Sequence, residues 1–165
     1  LFSLAITYLG YGGYFNPFTG EAQVNAKPPM ELYTFISAHE QAHQLGYAAE
    51  NEANFAAILA NSSHDDAYIR FSAYTYALSY CLSEIRRRDR QVYDELRGKV
   101  TEDILNMYQA QYDFWKAYYK PMEVVSKKVW DNFLKASQQT GGIKSYSYVV
   151  ALLVNYDQKH PDFFE

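Results

Sequence analysis

Two histidines four residues apart, His39 and His43, constrain this chain more than any other feature. They enclose Glu40 in His39-Glu40-Gln41-Ala42-His43, an HExxH pattern. On a helix, positions i and i+4 share a face, so both imidazoles can close on one metal ion. The residues before them agree with a helix. Leu32, Phe35, Ile36, His39 and His43 recur by threes and fours, which forms a single apolar stripe ending in the two imidazoles. Pro28-Pro29 precedes the stripe, where proline costs little, and Gly46 follows it as a stop.

Zinc takes neutral imidazole nitrogen and carboxylate oxygen, and a catalytic zinc site uses three protein ligands with one position open. His39 and His43 supply two. Glu40 lies about 100° around the helix from His39, so it flanks the ion as the expected general base for metal-bound water. A carboxylate from the next segment has to supply the third ligand, because one helix cannot wrap its own metal. Gly46 permits the chain to reverse, and Glu50 then faces back, with Glu52 as the alternative. Asn54, one turn beyond Glu50, is placed to hydrogen-bond a ligand histidine. A pair of core histidines is the bland alternative. It would leave Glu40 buried on an apolar face without a partner, a cost that a cation removes.

A hydrolytic zinc site also needs a donor for the developing oxyanion. Tyr146, just after Gly141-Gly142, is the first candidate, with His64, Arg70 and Tyr74 behind it. Each taken singly is more often a packed or solvated residue than a catalytic one.

At 165 residues the chain makes one domain with room for a core. Hydrophobic residues are 48% and charged residues 21%, which excludes wholesale disorder. The net charge of −4 argues against a nucleic-acid partner. Arg86-Arg87-Arg88 reads instead as cations closing a helix. The lone cysteine, Cys81, forms no internal disulfide and reads as a small buried hydrophobe. Seventeen tyrosines and ten phenylalanines suit a helical core with wet edges or an amphipathic groove.

The expected architecture is mainly α, an α+β domain over residues 1–165 with a small β element at the front. Residues 10–30 read as loop and short strand, with weak alternation over Glu21-Ala22-Gln23-Val24-Asn25. A helix follows the motif from about Glu50 to Asn61, and Asp65 or Asp66 caps a long one ending near Arg86. Two more are expected over 100–119 and 121–137, split by Pro121, and a last one starts near Ser145. The stripe Glu52-Phe55-Ala56-Leu59 reads as a packing face. No stretch approaches the roughly twenty apolar residues that span a bilayer. Leu1 is neither an initiator Met nor followed by a basic segment, so the chain reads as a piece cut from a longer protein.

Asn16-Pro17-Phe18-Thr19-Gly20-Glu21-Ala22-Gln23-Val24-Asn25, the motif His39 to Gly46, and Glu50-Asn51-Glu52-Ala53-Asn54-Phe55 together resemble domain-of-unknown-function family 3810 of bacteria. Arg70-Phe71-Ser72-Ala73-Tyr74 and Gly142 to Val150 fit the same family, so the resemblance covers nearly the whole chain. The motif is also similar to the gluzincin pattern, an HExxH with a later glutamate followed four residues on by Asp or Asn. The gap after His43 is shorter than in many gluzincins and close to metzincin spacing, yet the metzincin ligand position holds Ala49, which cannot bind metal.

The resemblance implies a zincin-like domain of a membrane-anchored protein. Its N-terminal membrane segment would precede Leu1, and the domain itself would be extracytoplasmic. It implies Zn2+ bound by His39, His43 and Glu50, with Glu40 as base. The expected activity is a zinc metallopeptidase with a peptide or protein substrate. A zinc-binding or scaffold domain without turnover is the alternative, and hydrolysis of a non-peptide amide is a third reading.

Overall fold

The molecule was analysed as a computed structural model, which describes residues 3–119 and 145–164. It is mainly helical, with one small antiparallel sheet. A short helix α1 (Ser3–Tyr8) leads into strands β1 (Gly13–Asn16) and β2 (Glu21–Val24), paired in the register Gly13↔Val24 to Asn16↔Glu21. Then come α2 (Met30–Gln44), α3 (Glu50–Ser62), α4 (Ala67–Arg88), α5 (Arg90–Arg97), α6 (Glu102–Tyr119) and α7 (Ser145–Lys159).

The expected apolar stripe on α2 is the buried one. Leu32, Phe35 and Ile36 are buried, with Glu40 and Ala42 completing the covered face. The core gathers Phe35 from α2, Ala57 and Ile58 from α3, Tyr80 from α4, and Val149 and Leu153 from α7. Tyr76 lies on the Phe35 ring at 3.6 Å between centroids, fixing the helix that carries the histidines against α4. Ala53 and Ala57 are fully buried on α3, and side chains this small let neighbouring helices approach closely.

Local chemistry sets the helix boundaries. Asp66 caps α4, its Oδ1 accepting from the Tyr68 N–H at 2.8 Å, so the second of the two candidate caps is the one used. Asp89 does the same for α5 through the N–H groups of Gln91 and Val92. No helix is expected from the sequence over Arg90–Arg97, because two turns with only Val92, Tyr93 and Leu96 apolar give a stripe too short to read. The residue 10–30 region forms a two-stranded hairpin rather than loop with one weak strand. Asn25, fully buried, pins it by donating from Nδ2 to Thr7 Oγ1 and the Tyr11 carbonyl.

Several expectations need amending. Glu52 is exposed, so its presumed packing stripe begins only at the following turn. Cys81 is half-buried rather than buried, beside the Leu78–Ile104 cavity, and burial pushes its thiol pKa up. Arg87 and Arg88 sit in the last turn of α4 and pair with the buried Glu84, which agrees with a helix-closing role. The expected helix over 121–137 and the Gly141-Gly142 turn lie outside the described residues. Among the described residues, no helix is long and apolar enough to cross a membrane.

Candidate metal centre

The centre is built by a helix, a tight reversal and the helix that follows. Gly46 follows the end of α2 with φ +105°, a left-handed conformation that glycine adopts without steric penalty. The reversal turns the Tyr47 carbonyl back onto the helix, where it lies 2.7 Å from His43 Nδ1. A carbonyl only accepts, so Nδ1 carries the proton: the neutral ring has its Nε2 lone pair free for an ion, and the protonated ring donates from Nε2 to Glu50. Ala49 then caps α3 in extended conformation, and Glu50 enters at the first helical position.

Three side chains converge as a result. His39 Nε2 and His43 Nε2 are 3.1 Å apart. Glu50 Oε2 lies 3.3 Å from His39 Nε2, and Glu50 Oε1 lies 3.5 Å from His43 Nε2. Bonds of 2.0–2.1 Å meeting at a tetrahedral centre would hold their donor atoms about 3.3 Å apart, so the triangle has the size a zinc-like ion requires. These three residues are the group able to hold a metal ion among the described residues.

The electrostatics follow the geometry. Burial opposes ionisation of Glu50, but the hydrogen bonds from His39 and His43 outweigh it and hold its pKa down at about 2. His43 is raised above its ordinary value, first by its hydrogen bond to Glu50 and, in a smaller part, by the Tyr47 carbonyl. Glu40 is 6% exposed, and burial lifts its pKa although both histidines pull the other way. It lies beside the triangle rather than in it, packed against the Gly13 backbone of β1.

Of the residues picked from sequence, His39, His43 and Glu50 come together and Glu40 flanks them. Glu52 stays outside on the exposed face of α3. Asn54 is half-buried one turn beyond Glu50 and makes no hydrogen bond to either histidine; His39 Nδ1 is buried without a partner. His64 and Arg70 serve the α3–α4 turn, Arg70 donating to the His64 and Asp65 carbonyls and His64 Nδ1 accepting from the Asp66 N–H. Tyr74 packs edge-on to Phe164. Tyr146 lies in α7, with its side chain outside the described residues. Sequence reasoning missed Tyr47, whose contribution is a backbone carbonyl, and Gly13, whose contribution is the lack of a side chain.

A mainly helical domain with a hairpin laid on a His/His/Glu centre is the class that fold and site define. The chain belongs to the family described as protein of unknown function DUF3810, whose model matches residues 1–154. No curated protein and no solved structure matches it.

Proposed function

We propose that this domain is a zincin-like zinc peptidase, in which His39, His43 and Glu50 hold the ion and Glu40 is the general base. The observation that carries the reading is the donor triangle of 3.1, 3.3 and 3.5 Å with a buried carboxyl beside it. Imidazole and carboxylate donors in this number and spacing suit Zn2+ with one position left open.

When bound, the ion supplies a Lewis acid that polarises a carbonyl and acidifies water. The protein's own residues do the rest. Glu50 offsets the charge of the ion and stays ionised across the physiological range, since its pKa is held at about 2. The Tyr47 carbonyl keeps His43 in the tautomer that presents Nε2. Glu40 accepts a proton from the attacking water onto a carboxylate oxygen and returns it to the leaving amine. Its raised pKa favours that exchange, because a base works best when its affinity for the proton approaches ambient pH. Strand β1, against Glu40, limits where that carboxyl can point.

The test is metal content and turnover in the same preparations. Purified protein should carry stoichiometric zinc and cleave members of a mixed peptide library. Glu40→Gln should keep the zinc and lose cleavage. Loss of zinc in that variant would make Glu40 a ligand or a structural residue and overturn the assignment. Zinc without any cleavage by the wild type would identify a metal-holding scaffold.

A further inference from the structure

Two stripes run side by side on α2. Phe35, His39 and His43 face the core and the metal centre, and Ile36, Glu40 and Gln44, each one residue further, lie about 100° around the helix. The hairpin rests on this second stripe along its length. At the base, a β-carbon on Gly12 would stand 2.6 Å from Ile36 Cδ1, so side chain and backbone touch there. In the middle, Glu40 packs on the Gly13 backbone. At the tip, Gln44 Nε2 donates to the Gly20 carbonyl at 2.7 Å.

The two ends of the hairpin are held differently. Buried Asn25 fixes the base through Nδ2, which donates to Thr7 Oγ1 and the Tyr11 carbonyl, and through its N–H, which donates to the Gly12 carbonyl at 2.8 Å. At the exposed tip, among the described residues, Gln44 is the one side chain outside the hairpin that hydrogen-bonds residues 17–20. The turn is itself stiff. Asn16 Oδ1 accepts from the Phe18 and Thr19 N–H groups, and the Gly20 N–H donates to the Asn16 carbonyl at 2.8 Å. Holding Gly20 therefore holds Asn16, the last residue of β1, and with it the strand that backs Glu40. A two-stranded hairpin with four residues in each strand has little stability of its own, so its position depends on such ties.

We propose that Gln44 is a positioning residue: by clasping the hairpin tip it keeps β1 against the Glu40 carboxyl and so fixes where that carboxyl points beside the metal centre. The consequence for turnover rests on the peptidase reading; the clasp itself does not. Gln44 is exposed and takes no part in the donor triangle, so its replacement spares both the core and the ligands. Methionine matches glutamine in length and helix preference without the amide donor. Lysine keeps a donor of longer reach, and glutamate turns an acceptor toward the carbonyl.

The experiment uses the whole zinc-loaded chain as wild type, Gln44→Met, Gln44→Lys and Gln44→Glu. It reads cleavage of a peptide that the wild type cuts, together with amide hydrogen exchange over residues 13–24. Gln44→Met should lower kcat about fivefold, the fold-change of one net hydrogen bond, with KM and zinc content kept. Gln44→Lys should recover most of that loss and Gln44→Glu should deepen it. Exchange over residues 13–24 should quicken in Gln44→Met and Gln44→Glu and stay near wild type in Gln44→Lys. Added to Gly13→Ala, which already displaces the carboxyl, Gln44→Met should cost less than about twofold more, because both act through Glu40.

Equal kcat in wild type and Gln44→Met, or an equal fall in Gln44→Met and Gln44→Lys, would overturn the clasp and leave the peptidase standing. A raised KM at unchanged kcat would also overturn it, since the hairpin would then meet substrate rather than hold Glu40. No cleavage by the wild type would sink the peptidase reading. Exchange then decides the clasp, which stands if Gln44→Met exchanges faster over residues 13–24 and falls if it does not.

Discussion

Gly13 gives Glu40 its seat: a β-carbon on Gly13 would stand 2.7 Å from Glu40 Cγ and 2.8 Å from Glu40 Oε1. Real β-carbons do not approach other atoms that closely, so any side chain at position 13 must displace the carboxyl. The Gln23 carbonyl would also be 2.7 Å away, and it is a backbone atom that cannot turn aside as a side chain can. Gly13→Ala should therefore lower kcat for peptide hydrolysis by about tenfold or more, corresponding to roughly 1.4 kcal/mol of lost transition-state stabilisation. Zinc stoichiometry should be kept, because the ligands stand on α2 and α3. Steady-state kinetics with metal analysis of the same sample checks this, and an unchanged kcat would remove Gly13 from the argument.

Glu50 and Glu52 separate cleanly in their consequences. Glu50→Gln should weaken zinc binding by more than the roughly 10–100-fold typical of losing a hydrogen-bonding partner to a ligand. Glu52→Gln should leave zinc affinity unchanged, because that side chain is exposed and outside the donor triangle. Competition with a chromophoric chelator measures both, and a loss confined to Glu52→Gln would reverse the assignment.

The stability of chelator-treated protein should carry the signature of the His43–Glu50 pair. Glu50 is depressed from 4.5 to about 2, so its contribution is present above 4.5 and is lost as pH falls from there toward about 2. His43 is raised from 6.5, so its contribution is complete below 6.5 and is lost as pH rises through its elevated folded value. The pair thus stabilises most between about 4.5 and 6.5. Glu40, raised by burial, acts in the opposite sense, losing stability as pH rises above 4.5. Subtracting the melting profile of Glu50→Gln from that of the wild type removes the largest part of the Glu40 contribution, which comes from burial and is common to both. A flat difference profile would contradict the pairing.

Zinc and protons compete for the same imidazole. Because Glu50 raises the pKa of His43, zinc affinity should keep climbing with pH above 6.5 and level off only past that elevated value. Isothermal titration from pH 6 to 8 in several buffers should show proton release on binding at the lower end. Affinity independent of pH would mean that His43 is no ligand.

Ile58 is fully buried where α2, α3, α4 and α7 meet. Truncation to alanine should cost about 3 kcal/mol by transfer and cavity terms together. It should lower Tm while leaving zinc stoichiometry intact, since Glu50 stands in the first turn of α3 and both histidines on α2. Thermal melts with metal analysis test both parts. A change below about 1 kcal/mol would mean that the four-helix contact is not where the stability resides.

Much of the centre was legible because helical periodicity is local. The spacing of Leu32, Phe35, Ile36, His39 and His43 puts them on one face whatever surrounds them. Gly46 marks the reversal, and a carboxylate four residues past it is within reach of the histidines once the chain turns back. The choice of Glu50 over Glu52 is different in kind. Two residues apart on a helix, they point about 200° from each other, and only the packing of α3 on α2 decides which looks inward. The helix α5 escaped notice because its stripe, Val92, Tyr93 and Leu96, lasts only two turns.

The sequence alone determined that two imidazoles and a glutamate share one amphipathic helix, since covalent geometry and the 3.6-residue turn dictate it. Tertiary structure decided the closing ligand, the Tyr47 carbonyl on His43, the glycine backbone against Glu40 and the bond from Gln44 to the hairpin. Those depend on segments distant along the chain coming within a few ångströms, or on backbone atoms that every residue shares. Neither leaves a mark in the order of side chains.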